Sequence, residues 1–397
     1  MPAAIMKTRG LYLASALAVN YAAMMGLAIA VNLLPVFLTT LSLDLGGPQG
    51  LTHEQLGRLG AITFAGLVGG ILLAGPLADR LGAKPFTVAG NAFIAGGLAL
   101  LGHAPGYGTV CAAAGVMGFG AGILDMVLSP IVCALQPERR TAAMNWLHSF
   151  YCTGAVATVL AASLALRSGV PWRTIALWLT GVPILVGAAF VMLPLPPLVA
   201  EGADRMRLRR LVREPYFLIL LAAIFMGGAT ELGLAQWLPA YAEKTLGYTK
   251  WVGGLSLLFF SLAMAAGRIA VGAAGHRLNP FTLLLACCWG SVALFLVGCF
   301  SPWPAPALAA CMAVGVTGST LWPSLLGVAG DRFPHGGASM FGMLAAFGNF
   351  GGVFMPWMVG VAADRIGMRV GLSTATLCPL FMAFLLLWMR RRVQGLS

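Results

Sequence analysis

Residues 54–84 read EQLGRLGAITFAGLVGGILLAGPLADRLGAK, an apolar run that closes abruptly on Asp79, Arg80 and Lys84. A helix that crosses the hydrocarbon core of a bilayer needs about 20 apolar residues, and positions 54–78 supply one such span. The pattern recurs along the whole chain. Of 397 residues, 59% are hydrophobic and 9% charged, against roughly 25% charged in a soluble domain. So few charges cannot build a water-facing surface, so lipid is expected as the outer solvent. Loop signals divide the first half into spans near 11–41, 54–78, 86–102, 108–135, 141–166 and 172–195. The second half divides near 215–242, 251–274, 280–299, 305–329, 337–362 and 370–389. The expected fold class is an all-α membrane protein of twelve transmembrane helices.

The formal net charge is +12. In a soluble chain that excess would point to nucleic acid; here it sits on one side of the spans, and no nucleic-acid partner is expected. Lys7, Arg9, Arg80, Lys84, Arg139, Arg140, Arg205, Arg207, Arg209, Arg210, Arg213, Arg268, Arg277, Arg332 and Arg390 to Arg392 fall on one side, seventeen of the 24 Lys and Arg. Arg58, Arg167, Arg173, Lys244, Lys250, Arg365 and Arg369 fall on the other. The positive-inside rule then predicts both termini in the cytoplasm and a multi-pass protein of the inner (plasma) membrane. The apolar stretch from Leu11 to about Leu41 is far longer than the roughly 7–15 residues of a signal-peptide core, so an uncleaved first span is expected. The eight cysteines are scattered, with no C-x-x-C pair, and imply neither a disulfide framework nor a metal site. No cofactor is expected. Without a P-loop, H-E-x-x-H or G-x-S-x-G motif, the sequence supports neither ATP-driven pumping nor proteolysis, and no enzyme is expected.

The two halves echo each other. Asn32-Leu33-Leu34-Pro35-Val36-Phe37 in the first span matches Gln236-Trp237-Leu238-Pro239-Ala240-Tyr241 in the seventh. Arg80-Leu81 with Pro85-Phe86-Thr87 matches Arg277-Leu278 with Pro280-Phe281-Thr282. Duplication of a six-span unit is expected: a six-helix bundle over 1–200, a basic cytoplasmic linker over 201–214, lying along the membrane as an amphipathic helix, and a second bundle over 215–397. Parallel repeats of this kind are the transporter design that places substrate between halves.

Gly75-Pro76-Leu77-Ala78-Asp79-Arg80-Leu81-Gly82-Ala83-Lys84 resembles the signature between spans two and three of the major facilitator superfamily. Only Ala83 departs, where Arg is commoner. A narrower resemblance is to the fucose-permease-like sugar:proton symporters. Gly120-Ala121-Gly122-Ile123-Leu124-Asp125 with Ser129-Pro130 looks like that group's fourth span. Asn145-Trp146-Leu147-His148-Ser149-Phe150-Tyr151 looks like its fifth, and Glu231-Leu232-Gly233 with Trp237 and Tyr241 like its seventh. The fucose permease carries an Asp in its first span, where Asn32 and Leu33 stand here; an amide cannot carry a proton. The resemblance implies a secondary transporter with two pseudo-symmetric bundles, working by alternating access. It also implies a gate at the cytoplasmic end of the second span, with Asp79 and Arg80 facing Arg139 or Arg140.

Asp125 and Glu231 are the acids expected deep inside spans. An Asp at a helix centre costs roughly 2.5–3.5 kcal/mol on insertion scales, so such residues line a cavity or find a partner. Burial disfavours the charged form, so either acid is a candidate proton carrier; the competing reading is a structural hydrogen bond between helices. His148 lies roughly 10 Å inside the fifth span and Asp125 roughly 15 Å inside the fourth at 1.5 Å per residue, so the two can pair. Alternatively, His148 binds only a backbone carbonyl. Asn145 shares the face of His148 by the i,i+3 relation. Asn32, Gln236 and Asn349 are candidate amides for sugar hydroxyls, and Tyr151, Trp237 and Trp322 candidate stacking surfaces, each weighed against plain packing. Trp172, Trp251 and Trp303 are expected at membrane interfaces. The expected function is transport of a small polar solute, a sugar or sugar derivative, coupled to protons, by a monomer in contact with membrane lipids. A drug or metabolite exporter, a lipid flippase and a transport-dead sensor remain the alternatives.

Overall fold

The computed structural model describes residues 3–47, 50–51, 53–198, 206, 208–274 and 278–394, and leaves a few side chains on the helices, that of Asp79 among them, undescribed. Among the described residues there is no strand, and twelve spans are long and apolar enough to cross a membrane. The first six lie on α1 (Ala3–Leu45), α2 (His53–Leu81), α3 (Lys84–Gly102), α4 (Tyr107–Leu135), α5 (Arg140–Arg167) and α6 (Trp172–Met192). A short α7 (Leu208–Leu211) precedes α8 (Pro215–Lys244), α9 (Lys250–Ala274) and α10 (Pro280–Phe300), the seventh, eighth and ninth spans. The tenth span is α11 (Pro304–Gly318) followed by α12 (Leu321–Arg332), and the eleventh is α13 (Gly337–Ile366). The twelfth runs through α14 (Met368–Ser373), a 3-10 turn at Thr374–Thr376, and α15 (Leu377–Gln394).

Local chemistry sets the ends. Helix α2 stops at Gly82, whose φ of +82° places it in the left-handed region that glycine enters without a Cβ penalty, and whose N–H donates to the Ala78 carbonyl at 2.9 Å. Helix α10 opens on Asn279, whose side chain accepts from the N–H groups of Phe281 and Thr282, with Pro280 in the first turn, where its missing N–H costs nothing.

The tenth span was expected as one helix over 305–329; it is broken at Ser319 and Thr320. Pro323 is the cause. It has no N–H for the carbonyl four residues back, that of Ser319, and its ring crowds that carbonyl. Proline is tolerated in the first turn of a new helix, so the chain restarts at Leu321.

The chain divides into two compact units. One comprises Met1–Pro137, Phe150–Asp204 and Gly337–Gly342; the other Glu138–Ser149, Arg205–Gly336 and Met343–Ser397. Helix α5 thus contributes its first ten residues to the second unit and the rest to the first. In the first unit α4 is central, 83% of its span window being buried against 33% for α6. It approaches α2 along a seam of glycines: a Cβ on Gly118 would meet the Thr63 carbonyl and one on Gly122 that of Leu67, while Gly66 and Gly70 face the carbonyls of Gly115 and Phe119. Close backbone approach through small residues is how helices associate where lipid removes the hydrophobic drive. In the second unit α11 packs on α9 and α10, and α8 on α9 and α15.

One expectation is corrected. Arg268 was counted with the basic loops; it lies inside α9 and is 2% exposed, so sixteen bases remain on that side. Of the three tryptophans expected at interfaces, Trp251 and Trp303 are exposed, and Trp172, the first residue of α6, is buried against the protein and donates from Nε1 to Asp44 at 3.2 Å. The amphipathic linker helix falls largely on positions outside the described residues.

Candidate substrate and coupling site

Within the second unit, the break at Pro323 dictates the chemistry. The Ser319 carbonyl it orphans would cost about 1–3 kcal/mol if left unpaired. Arg268 reaches it from α9, donating from Nε at 2.8 Å. The same guanidinium donates from one terminal nitrogen to the His148 carbonyl on α5 at 3.1 Å and from the other to Glu231 Oε2 on α8 at 2.7 Å. The ion pair is almost fully enclosed, with side-chain exposures of 3% and 10%. One cation thus ties α5, α8, α9 and the break between α11 and α12. Gly267, the residue before it, leaves no room for a Cβ beside the Ser319 side chain. Glu231 was expected here; Arg268 was not, although a lone Arg in the apolar run 251–274 was the available signal.

His148 and Asn145 sit on the opening turns of α5, both buried. Asn145 donates from Nδ2 to the Thr141 carbonyl at 2.9 Å and to the Ser324 hydroxyl at 3.0 Å. Further along the same pair of helices, Arg140 donates to the Gly330 carbonyl at 2.7 Å and meets Asp331 at 3.4 Å. Thr141 lies where a Cβ on Gly327 would strike it. Four polar atoms here have no hydrogen-bond partner among the described residues: Thr141 Oγ1, Asn145 Oδ1, His148 Nε2 and Trp322 Nε1. The Trp322 ring lies against Gly348 and Gly228, filling the place of their missing side chains.

The remaining candidates are dispersed. Asn349 is buried on α13 and donates to the Ala345 carbonyl at 2.9 Å. Trp237 spends its indole N–H on the Pro356 carbonyl at 2.8 Å, while Gln236 beside it is exposed. In the first unit Asn32 donates to the Ala28 carbonyl at 2.9 Å and approaches the Tyr151 hydroxyl at 3.4 Å, so two expected residues meet. Asp125 is half-buried on α4, flanked by the buried Leu124 and Met126. Arg80 and Arg139 are exposed, and the Asp79 side chain lies outside the described residues.

A family model described as Major Facilitator Superfamily matches residues 13–356. The chain belongs to the major facilitator superfamily. With twelve candidate spans among its described residues, it is a multi-pass membrane protein of that family. The chain is similar to an uncharacterised MFS-type transporter of Mycobacterium tuberculosis, 28% identical over 258 residues, which is 64% of this chain and 59% of the relative. It thus spans about three fifths of that relative's length. The probable nitrate/nitrite transporter NarK2 of the same organism is 28% identical over 326 residues, 75% of this chain and 77% of the relative. Among solved structures, the E. coli fucose:proton symporter FucP superposes with a TM-score of 0.80 at 18% identity, covering 94% of this chain and 98% of FucP. The proton:xylose symporter XylE gives 0.80 at 13% identity, covering 95% of each chain. At such identities these likenesses show the fold that the superfamily resemblance implied.

Proposed function

We propose that this transporter moves a small polar solute, a sugar or sugar derivative, by alternating access with proton coupling. The observation that carries the reading is hydrogen-bonding capacity left unspent inside membrane spans: Asn145 Oδ1, His148 Nε2 and Trp322 Nε1. Each is a group whose desolvation costs about 1–3 kcal/mol unless paired, and together they offer an acceptor, a donor and an imidazole nitrogen able to be either. That set suits hydroxyls beside an aromatic face. It gives a hydrophobic drug nothing to satisfy. Two of the superposing structures are sugar:proton symporters by name. Asp125, half-buried on α4, is assigned the proton.

A second reading has one observation in its favour. Arg268 is a buried cation, and a nitrate/nitrite transporter is among the relatives, so an anion is a competing solute. The Glu231 carboxylate at 2.7 Å already neutralises that cation, which favours the neutral solute.

A thermal-shift screen of purified protein against neutral sugars, sugar acids, nitrate, amino acids and drugs tests the reading. A ligand at 100 times its Kd stabilises by about 2.7 kcal/mol. Stabilisation by nitrate or drugs with none by sugars would overturn it. For orientation we place both termini in the cytoplasm of the inner membrane, sixteen bases against seven still favouring that side. A reporter joined within residues 201–214 that reads as periplasmic would reverse it. Asp79, with Arg80, Arg139 and Arg140, remains our assignment for the gate, and Asp79→Asn should raise the accessibility of cytoplasmic-side cysteine probes.

A further inference from the structure

The segment that leads into the seventh span is pinned to the second unit, and its arginines take no part in the pinning. The Met206 N–H donates to the His335 carbonyl at 3.1 Å. Leu211 on α7 is wholly buried. Tyr216, in the first turn of α8, is buried as well, with the Arg332 guanidinium 5.3 Å over its ring. Phe333 packs edge-to-face on both Tyr216 and Phe217. The chain between these anchors is tightly turned: the N–H groups of Arg213 and Glu214 donate to the carbonyls of Arg210 and Leu211 at 3.1 and 3.0 Å. With Leu211 turned inward, Arg209, Arg210 and Arg213 are left exposed.

Nothing nearby cancels these charges. Among the described residues none of the three arginines forms an ion pair. Residues 208–214 hold three bases and one acid, Glu214, and Asp331 at the end of α12 meets Arg140 at 3.4 Å. The patch also stands at the edge of the membrane. Helix α8 starts at Pro215 and has 30 residues, about 45 Å at 1.5 Å per residue, against about 40–45 Å for a bilayer with its headgroups. Its first turn therefore lies in the headgroup layer, with the arginines just before it. Two apolar side chains of the same segment are exposed, Val212 at 36% and Leu218 at 48%. Cations beside exposed apolar groups suit a lipid interface, which takes up both. An acidic protein partner would match the arginines and leave Val212 and Leu218 unexplained.

We propose that Arg209, Arg210 and Arg213 form a docking surface for the headgroups of anionic phospholipids. The guanidinium forks match the phosphate oxygens, and Val212 and Leu218 meet the lipid below the phosphate. The pinned backbone holds the three cations in place before any lipid arrives. The inference goes beyond the transport reading and does not depend on which solute is carried.

The test uses the full chain in phosphatidylethanolamine vesicles that hold a trace of photoactivatable phosphatidylglycerol or phosphatidylcholine, identical but for the headgroup. Labelling of residues 208–218 is read by peptide mass mapping, as the ratio of the two lipids. The parent should be labelled in excess by phosphatidylglycerol. One arginine near an anionic lipid surface is worth about fivefold in binding. Arg210→Gln should therefore lower the ratio by about that factor, and Arg209→Gln/Arg210→Gln/Arg213→Gln should bring it near one. Arg209→Lys/Arg210→Lys/Arg213→Lys keeps the charges and should keep most of the excess. Arg167→Gln/Lys244→Gln/Arg365→Gln removes three exposed bases from the far ends of α5, α8 and α13 and should leave the ratio unchanged. Equal labelling of the parent by the two lipids overturns the proposal, as does an excess that survives the glutamine triple. Inorganic phosphate that abolishes the excess, where chloride of equal ionic strength does not, would assign the patch to a soluble phosphate and overturn it too. If the glutamine triple does not fold, the parent, Arg210→Gln and the lysine triple still decide.

Discussion

At the scale of single residues, the Arg268–Glu231 pair has energetic consequences that can be separated. Removing one member of a buried pair costs about 3–5 kcal/mol, mostly because the other charge is left uncompensated. Arg268→Gln and Glu231→Gln are each expected to lower the unfolding free energy in detergent by an amount in that range. The double substitution should recover much of the loss but not all, since the Ser319 carbonyl loses the donor that Arg268 supplies at 2.8 Å. A double variant no better than the singles would show that charge compensation is not the dominant cost. Outside the spans, Asp44 offers a contrast. The Arg173 guanidinium, hydrogen-bonded at 2.7 Å, holds its carboxyl below the usual carboxylate range, with the Trp172 indole adding to the effect and burial opposing it. A depressed folded-state value means the stabilisation is present above the unfolded value of about 3.9 and is lost as pH falls through the folded one. Both side chains are about two-fifths exposed, at 35% and 43%, so the contribution is screened. Asp44→Asn should therefore leave the neutral-pH midpoint nearly unchanged and flatten its fall in acid. An unaltered acid slope would remove Asp44 from the account. Glu231 was visible in the sequence because an acid in an apolar run is expensive wherever it stands. Arg268 was hidden because a base near the end of a span reads equally well as a loop cation, and only the fold shows which way it turns.

At the scale of elements, the broken tenth span and the glycine seam follow from backbone chemistry. Pro323→Ala would supply an N–H for the Ser319 carbonyl and relieve the ring clash. The Ser319 carbonyl would then have a donor besides Arg268. In the Pro323→Ala background, Arg268→Gln should cost less than in the parent, with a coupling of about 0.5–1.5 kcal/mol, the net value of one hydrogen bond. Strict additivity of the two substitutions would sever the link between the break and the arginine. Between α2 and α4, Gly122→Leu should destabilise by at least about 1–3 kcal/mol, because the Leu67 backbone stands where the new side chain must go. Gly181→Ala on α6 is the control: nothing lies within 4 Å of its added Cβ, and a helical Gly→Ala gains roughly 0.5–1 kcal/mol. A Gly122→Leu variant as stable as that control would mean the helices are not held at the distance the structure shows. The positions of the spans were legible because hydropathy and loop residues report directly on lipid and water. The break was not, because Pro323 lies in a run whose hydropathy is continuous, and membrane helices tolerate proline wherever neighbours re-satisfy the freed carbonyl.

At the scale of the whole molecule, the duplication read from short motifs reappears in the hydrogen bonding. Arg173, at the start of the sixth span, donates to the Ala104 carbonyl after the third. Arg369, at the start of the twelfth, donates to the Ser301 carbonyl after the ninth. The two arginines are 196 residues apart in the chain, within the 195–197 offset that relates the Arg-Leu and Pro-Phe-Thr motifs of the two halves. Each serves as the cation favoured beside the C-terminal end of a helix. The halves differ where chemistry is expected: Asp125 stands in the first and the Arg268–Glu231 pair in the second. A carrier that accumulates solute must let solute and proton bind cooperatively. If the solute prefers the protonated form of Asp125, its binding takes up a proton, and by linkage its affinity falls as pH rises. Asp125→Asn mimics the neutral acid permanently. It should bind solute with a weaker dependence on pH and exchange it across proteoliposomes at a rate near the parent's, yet fail to concentrate it under an inward proton gradient. Glu231→Gln, in contrast, should bind poorly and exchange slowly at every pH. Uptake and counterflow of the solute identified by thermal shift, compared for the parent and both variants, separate these outcomes. If Asp125→Asn still concentrates solute while Glu231→Gln exchanges it without concentrating it, the proton travels on the seventh span and the division of labour between the two acids is the reverse of the one drawn here.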